Sequence, residues 1–212
     1  MVLIIYGYVK INFLANYVIN YIIFEKIEKL AETSPQLAAY CTMFSQGFNG
    51  YLQFSGYSDI AIGFSLLLGY RVMENFNWPF FKKNIQEFWS AWHISLTSWC
   101  PEYVYLATFS LTRERWLGIL VAMGVLGLWH EFSARYLLWG AYNGLGIVIW
   151  YQWRKIAQSA PLIVLPSAHG LGVLKDMGAI CLNLHFVLLG FVLVNNENLT
   201  GAVKFYRILF GV

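Results

Sequence analysis

The stretch "GVLGLWHEFSARYLLWG", residues 124–140, decides how the chain is read. It places a histidine, a glutamate and an arginine in a run otherwise apolar enough for a bilayer. Ionisable groups at that depth are costly, so they mark function more often than filler. His130 stands fourteen residues beyond Trp116, about 21 Å along a helix and past the bilayer midplane. A neutral imidazole is matched to proton transfer near neutral pH and could take a proton from a substrate hydroxyl. A histidine that only hydrogen-bonds a neighbouring helix fits the same residues equally well. Glu131 cannot orient His130, because adjacent residues diverge on a helix; its expected partner is Arg135 at i, i+4. A carboxylate orienting His130 must come from elsewhere. Asp59 and Glu102 are the candidates, and Trp129 is a supporting neighbour.

The rest of the chain agrees with a membrane setting. Of 212 residues, 58% are hydrophobic and 12% charged, with aromatics at 18% and a mean hydropathy of +0.54. An ordinary soluble domain carries about 25% charged residues. The expected fold is all-α, a polytopic transmembrane helical bundle, with residues 1–212 forming one membrane-embedded domain. A net charge of +3 without a basic run gives no reason to expect nucleic acid. Cys41, Cys100 and Cys181 match no metal or redox spacing and read as buried, inert thiols. Residues 1–24 lack the charged start and the cleavage site of a signal peptide.

Spans are expected at 1–24, at 116–138 and 137–153, and near 177–194, where apolar runs approach the 20 or so residues a crossing needs. Between the first two lie the charged loop 25–36 and residues 37–72, too long for one crossing. The latter read as two spans or one helix broken near "QFSGYSD" (53–59), where Asp59 either orients a catalytic group or caps the break. Residues 84–100, "NIQEFWSAWHISLTSWC", read as one amphipathic helix ended by Pro101. Its apolar face holds Ile85, Phe88, Trp89, Trp92, Leu96 and Trp99; Gln86, Ser90, His93 and Thr97 form a polar stripe. His93 there faces either water or a cavity. Two histidines 37 residues apart with no third ligand are poor grounds for a metal, and none is expected. A loop with Pro161 and Pro166 precedes the last span.

Three segments in a fixed order carry a family resemblance: "LQFSGYSDIAIGFSLLLGYRVMENFNWPF" (52–80), "EFWSAWHISLTSW" (87–99) and "GLWHEFSARYLLWGAYNG" (127–144). The chain resembles the membrane-bound O-acyltransferase (MBOAT) family, in the branch of the alginate O-acetyltransferases and the D-alanyl transfer proteins of teichoic acid. The resemblance implies transfer of an acyl group, expected to be acetyl, to a hydroxyl of a cell-surface or exported polysaccharide. It places the family's essential histidine on His130 and its second histidine on His93. No bound cofactor is implied. The co-substrate would be an acyl thioester, acetyl-CoA or an acyl carrier, and the setting the inner (plasma) membrane, crossed several times. The implied partners are the lipid bilayer, a polysaccharide acceptor, and a periplasmic or acyl-carrier protein. Gln86, Ser90, Thr97 and Trp99 are candidates to bind the oxyanion, and the sequence does not choose among them.

The chain departs from the family pattern around the site. Glu131 stands for the usual glycine, Ser90 and Ala91 for two arginines, Pro101 and Glu102 for an arginine–aspartate pair, and Gln53 for an acid. The family's N-terminal helices are not represented, so Met1 reads as an internal position. A non-catalytic transport or scaffold subunit, and an inactive truncated remnant, are the competing expectations.

Overall fold

The computed structural model describes residues 1–159 and 169–212. Among these the regular structure is helical, with no β-sheet. Two compact units divide them: Met1–Phe76 with Val194–Val212, and Asn77–Leu193.

In the first unit, α1 (Val2–Tyr8) continues through a π-helical segment (Val9–Ile23) into α2 (Phe24–Thr33). The charged stretch expected as a loop is therefore helical as far as Thr33. The correction has a simple cause. Glu25 and Lys29 lie one turn apart and bond at 2.7 Å, while Ile27 turns inward and is buried, so α2 is amphipathic rather than irregular. Ser34 leaves helical geometry, and Pro35, with its fixed φ, opens α3 (Pro35–Leu67).

No break interrupts α3, whose 33 residues span about 50 Å. Asp59 therefore caps nothing. It lies mid-helix in an ion pair with Lys10 at 2.6 Å, both side chains 13% exposed. Gln53 donates to Asn16 at 2.6 Å and Asn49 to Asn20 at 2.8 Å, so polar pairs recur along this contact. Gly56 is a contact residue, since a Cβ there would meet Ile11 and the Gly7 carbonyl. The last helix, α10 (Leu199–Phe210), starts where Asn198 accepts from the Gly201 amide at 2.9 Å and stops at Gly211, φ 71°.

In the second unit, a 3-10 turn (Pro79–Phe81) leads to α4 (Ile85–Trp89), which Asn84 caps by accepting from the Glu87 amide. The single helix expected over 84–100 is interrupted at Ser90–His93, and α5 (Ile94–Cys100) begins afresh. Pro101 does not end this helix. Hydrogen bonding widens to π-helical over Pro101–Tyr105 and α6 (Leu106–Thr112) follows directly. A wider turn absorbs the missing proline N–H without stopping the rod.

Next come α7 (Arg115–His130), α8 (Ala134–Ser159) and α9 (His169–Asn195). The loop with Pro161 and Pro166 lies outside the described residues. On α9, Asn183 donates to the Lys82 carbonyl at 2.9 Å and Asp176 pairs with Lys83 at 2.5 Å. Tyr142 of α8 donates to the Phe186 carbonyl at 2.9 Å.

Two described helices, Val2–Thr33 and Gly172–Asn195, are long and apolar enough to cross a membrane, and α7 is a shorter apolar helix. Val121, Val125, Leu137, Leu145 and Ile149 are exposed on α7 and α8, where water would penalise them and lipid or further helices would not.

Candidate active site

The site is built at the tip of the α7–α8 hairpin. Gly127 and Gly140 set the spacing of its arms. A Cβ on Gly127 would run into the Tyr136 carbonyl, and one on Gly140 into the Met123 carbonyl. Main chain thus packs on main chain. Glu131 leaves the helix in extended geometry, φ −160°, and Ser133 donates its amide to the Glu131 carbonyl at 2.8 Å. The Arg135 guanidinium grips both Glu131 oxygens. Glu131 therefore fastens the turn to the first turn of α8.

His130 ends α7 with its ring among aromatics. Trp129 and Trp139 meet it edge-on, centroids 4.9 and 5.8 Å away, and Tyr136 stacks on it at 5.8 Å. The His93 ring lies 6.4 Å from it and 6.0 Å from Trp129. His93 occupies the break between α4 and α5 in left-handed geometry, φ 49° and ψ 53°. A histidine held there carries strain that its surroundings must maintain, as is common at functional sites. Its carbonyl accepts from the Leu96 and Thr97 amides at 3.0 and 2.9 Å and from the Thr97 hydroxyl at 3.1 Å. Broken helix, strained backbone and hydroxyl together aim this turn at the end of α7.

The other expected residues separate clearly. Trp129 lies in the histidine cluster. Glu102 is exposed on the π-helical turn after α5, and Asp59 belongs to the other unit, paired with Lys10. Ser90 and Thr97 already give their hydroxyls to the Glu87 and His93 carbonyls. Trp99 stacks on Tyr103 and is 47% exposed. Cys100 is buried with its thiol on the Ala122 carbonyl, whereas Cys181, expected buried, is exposed.

In the sequence Trp89 read only as part of an apolar helix face, and Trp139 was not singled out. Trp139 is buried between His130 and Trp89, whose ring is 5.5 Å away. Nothing in the pattern marked either, because aromatic residues at a membrane interface look the same.

A cavity of about 980 Å³ runs along the hairpin. On α7 it is lined from Arg115 to Leu126, one helical turn short of His130, and Trp89 and Cys100 also face it. At the far end of the hairpin the lining turns basic, with Arg115, Arg154 and Lys155. Arg115 and His130 are separated by about 22 Å of helix, so the cationic groups lie at one end of this cavity and the histidine pair lies beyond its other end.

A sequence profile of the MBOAT, membrane-bound O-acyltransferase family, matches residues 4–172. The chain belongs to this family. Among curated relatives, "Probable alginate O-acetylase AlgI" of Pseudomonas aeruginosa is 36% identical over 167 residues, covering 76% of this chain and 29% of its own length. The teichoic acid D-alanyltransferase of Bacillus subtilis is 30% identical over 167 residues, covering 73% of this chain and 41% of its own length. The peptidoglycan O-acetyltransferase of Helicobacter pylori is 27% identical over 183 residues, covering 83% and 32%. This family member thus spans about a third of the length of the curated relatives it matches.

Proposed function

We propose that this MBOAT chain takes part in transferring an acyl group, acetyl in the first instance, from a thioester donor to a hydroxyl of a cell-surface or exported polysaccharide. One observation carries the reading: His130 stands within 6.4 Å of His93, on the face of α7 that lines the cavity. Ile119, Met123 and Leu126 line that face, and His130 continues the same stripe one turn on.

His130 acts as general base. It takes the proton of the acceptor hydroxyl while that oxygen attacks the thioester carbonyl carbon. The tetrahedral intermediate collapses with cleavage of the C–S bond, and the proton leaves with the thiolate. The thiolate is a good leaving group, so no acyl-enzyme is needed. His93 assists. At this ring separation the two imidazoles are too far apart to bond directly, and one hydroxyl oxygen, about 2.8 Å from a nitrogen of each, can bridge them. The basic end of the cavity suits the phosphate-bearing handle of acetyl-CoA or of a carrier protein's arm, with the thioester reaching toward Leu126. The chain works in the plasma membrane, where several crossings present the cavity to a donor on one side and the glycan on the other.

The test is His130→Ala, made in the gene at its own locus and read as ester-linked acyl groups on the envelope glycans. Loss of acylation at unchanged protein abundance supports the reading. Intact acylation overturns it and favours a passage or scaffold role for the same polar groups.

A further inference from the structure

Trp89 and Trp139 are 7% and 4% exposed, and the indole nitrogens of both are buried with no hydrogen-bond partner among the described residues. A buried indole N–H ordinarily finds an acceptor, and one left without needs a reason. Here two such groups come from different helices, α4 and α8, with rings 5.5 Å apart and nearly perpendicular. One of them, Trp89, also faces the cavity. The other packs its ring against His130 at 5.8 Å. One ring thus lines the space that would hold a thioester, and the other, packed on it, touches the histidine that would activate the attacking hydroxyl. The nearby hydroxyls of Ser90 and Thr97 already donate to backbone carbonyls, whereas the two indole N–H groups are uncommitted.

We propose that the indole N–H groups of Trp89 and Trp139 are the donors that bind the acyl carbonyl oxygen and the oxyanion formed from it. This rests on the acyl-transfer reading of the His130 site. When the acceptor oxygen bonds to the carbonyl carbon, the π pair of the carbonyl moves onto its oxygen. Two neutral donors already desolvated and fixed in place stabilise that charge with no reorganisation. When the pair returns, the C–S bond breaks and the oxygen is again a neutral carbonyl. Indole N–H groups suit the task because they donate only and bring no titratable proton to compete with His130.

The experiment compares four forms of the full-length protein, each expressed from its own locus: wild type, Trp89→Phe, Trp139→Phe and His130→Ala. The readout is the initial rate at which ester-linked acyl label enters envelope glycan after a pulse of labelled acetate, divided by chain abundance in the membrane. In a second pair, β-(3-benzothienyl)alanine replaces Trp89 or Trp139, exchanging N–H for sulfur while keeping the bicyclic shape. The expected result is a fall of about 10²- to 10³-fold per donor removed, the same for phenylalanine and benzothienyl, at normal abundance. A Phe variant rescued by the benzothienyl ring would overturn the proposal, because ring bulk would then be what matters. Wild-type rates in both Trp→Phe variants alongside an inactive His130→Ala would also overturn it, leaving the acyl-transfer reading intact. Wild-type rates in His130→Ala would remove that reading and this inference together.

Discussion

The His93 and His130 rings stand 6.4 Å apart although 37 residues separate them in the chain. One is carried by a strained turn and the other by the last residue of a helix, so their meeting depends on both supports. Because the two rings would share one hydroxyl, their removal should not be additive. His130→Ala should lower the transfer rate by about 10²- to 10⁴-fold. His93→Ala should lower it less, and the double variant no more than His130→Ala alone. Steady-state transfer rates across the four forms give the coupling directly.

Left-handed geometry at His93 predicts that stability and activity diverge there. His93→Gly relieves the backbone strain, which is about 1–2 kcal/mol for a residue with a Cβ. His93→Ala keeps the strain and loses the ring contacts. Both variants lose the ring contacts, so in thermal unfolding of the detergent-solubilised protein the glycine variant should be the more stable of the two by about that amount, with acyl transfer lowered in both. An alanine variant as stable as the glycine one would contradict the strain argument.

Three glycines of the hairpin should respond differently to alanine. Gly127→Ala and Gly140→Ala drive a methyl into backbone carbonyls, which can move only by parting α7 from α8; each should cost about 1–3 kcal/mol. A Cβ on Gly124 meets only a methyl of Leu137 at 3.7 Å, an ordinary contact, and Gly124→Ala should be neutral or slightly stabilising. Unfolding midpoints in detergent rank the three.

In the first unit, the Lys10–Asp59 pair is largely buried. Removing one partner, as in Lys10→Met or Asp59→Leu, strands the other charge and should cost about 3–5 kcal/mol. Removing both should cost less than either single change. A double-mutant cycle measured by denaturation decides it, and simple additivity would mean that the pair is not coupled.

How far the sequence disclosed this arrangement varied with the kind of signal. The apolar character of α7 was legible from composition, but the span expected over 116–138 ends at His130 and α8 already begins at Ala134, because Glu131 leaves helical geometry. The charged stretch 25–36 read as a loop because charge density hides the one-turn pairing of Glu25 with Lys29 and the burial of Ile27. A break was expected near 53–59 because a bilayer is thinner than that run, yet Gly56 belongs to a helix contact and Asp59 to an ion pair, neither visible along one strand of letters. Pro101 read as a stop, but a π turn admits it without ending the helix. His93 and His130 could be ranked only through the family motifs, since no spacing rule brings together residues on separate elements. Trp89 read only as one of an apolar stripe and Trp139 not at all, because what sets them apart is the missing partner of each nitrogen, a property of the folded surroundings.

The direct backbone packing at Gly127 and Gly140 has a consequence for how such a site could diversify. The separation of the two helices beneath His130 is set by main-chain contact, available only while positions 127 and 140 are glycine. The aromatic side chains around the ring could then vary without changing that separation, so the space above the imidazole could be reshaped while the backbone that carries it stays where it is. A histidine anchored in this way separates what a family must hold constant from what it can explore.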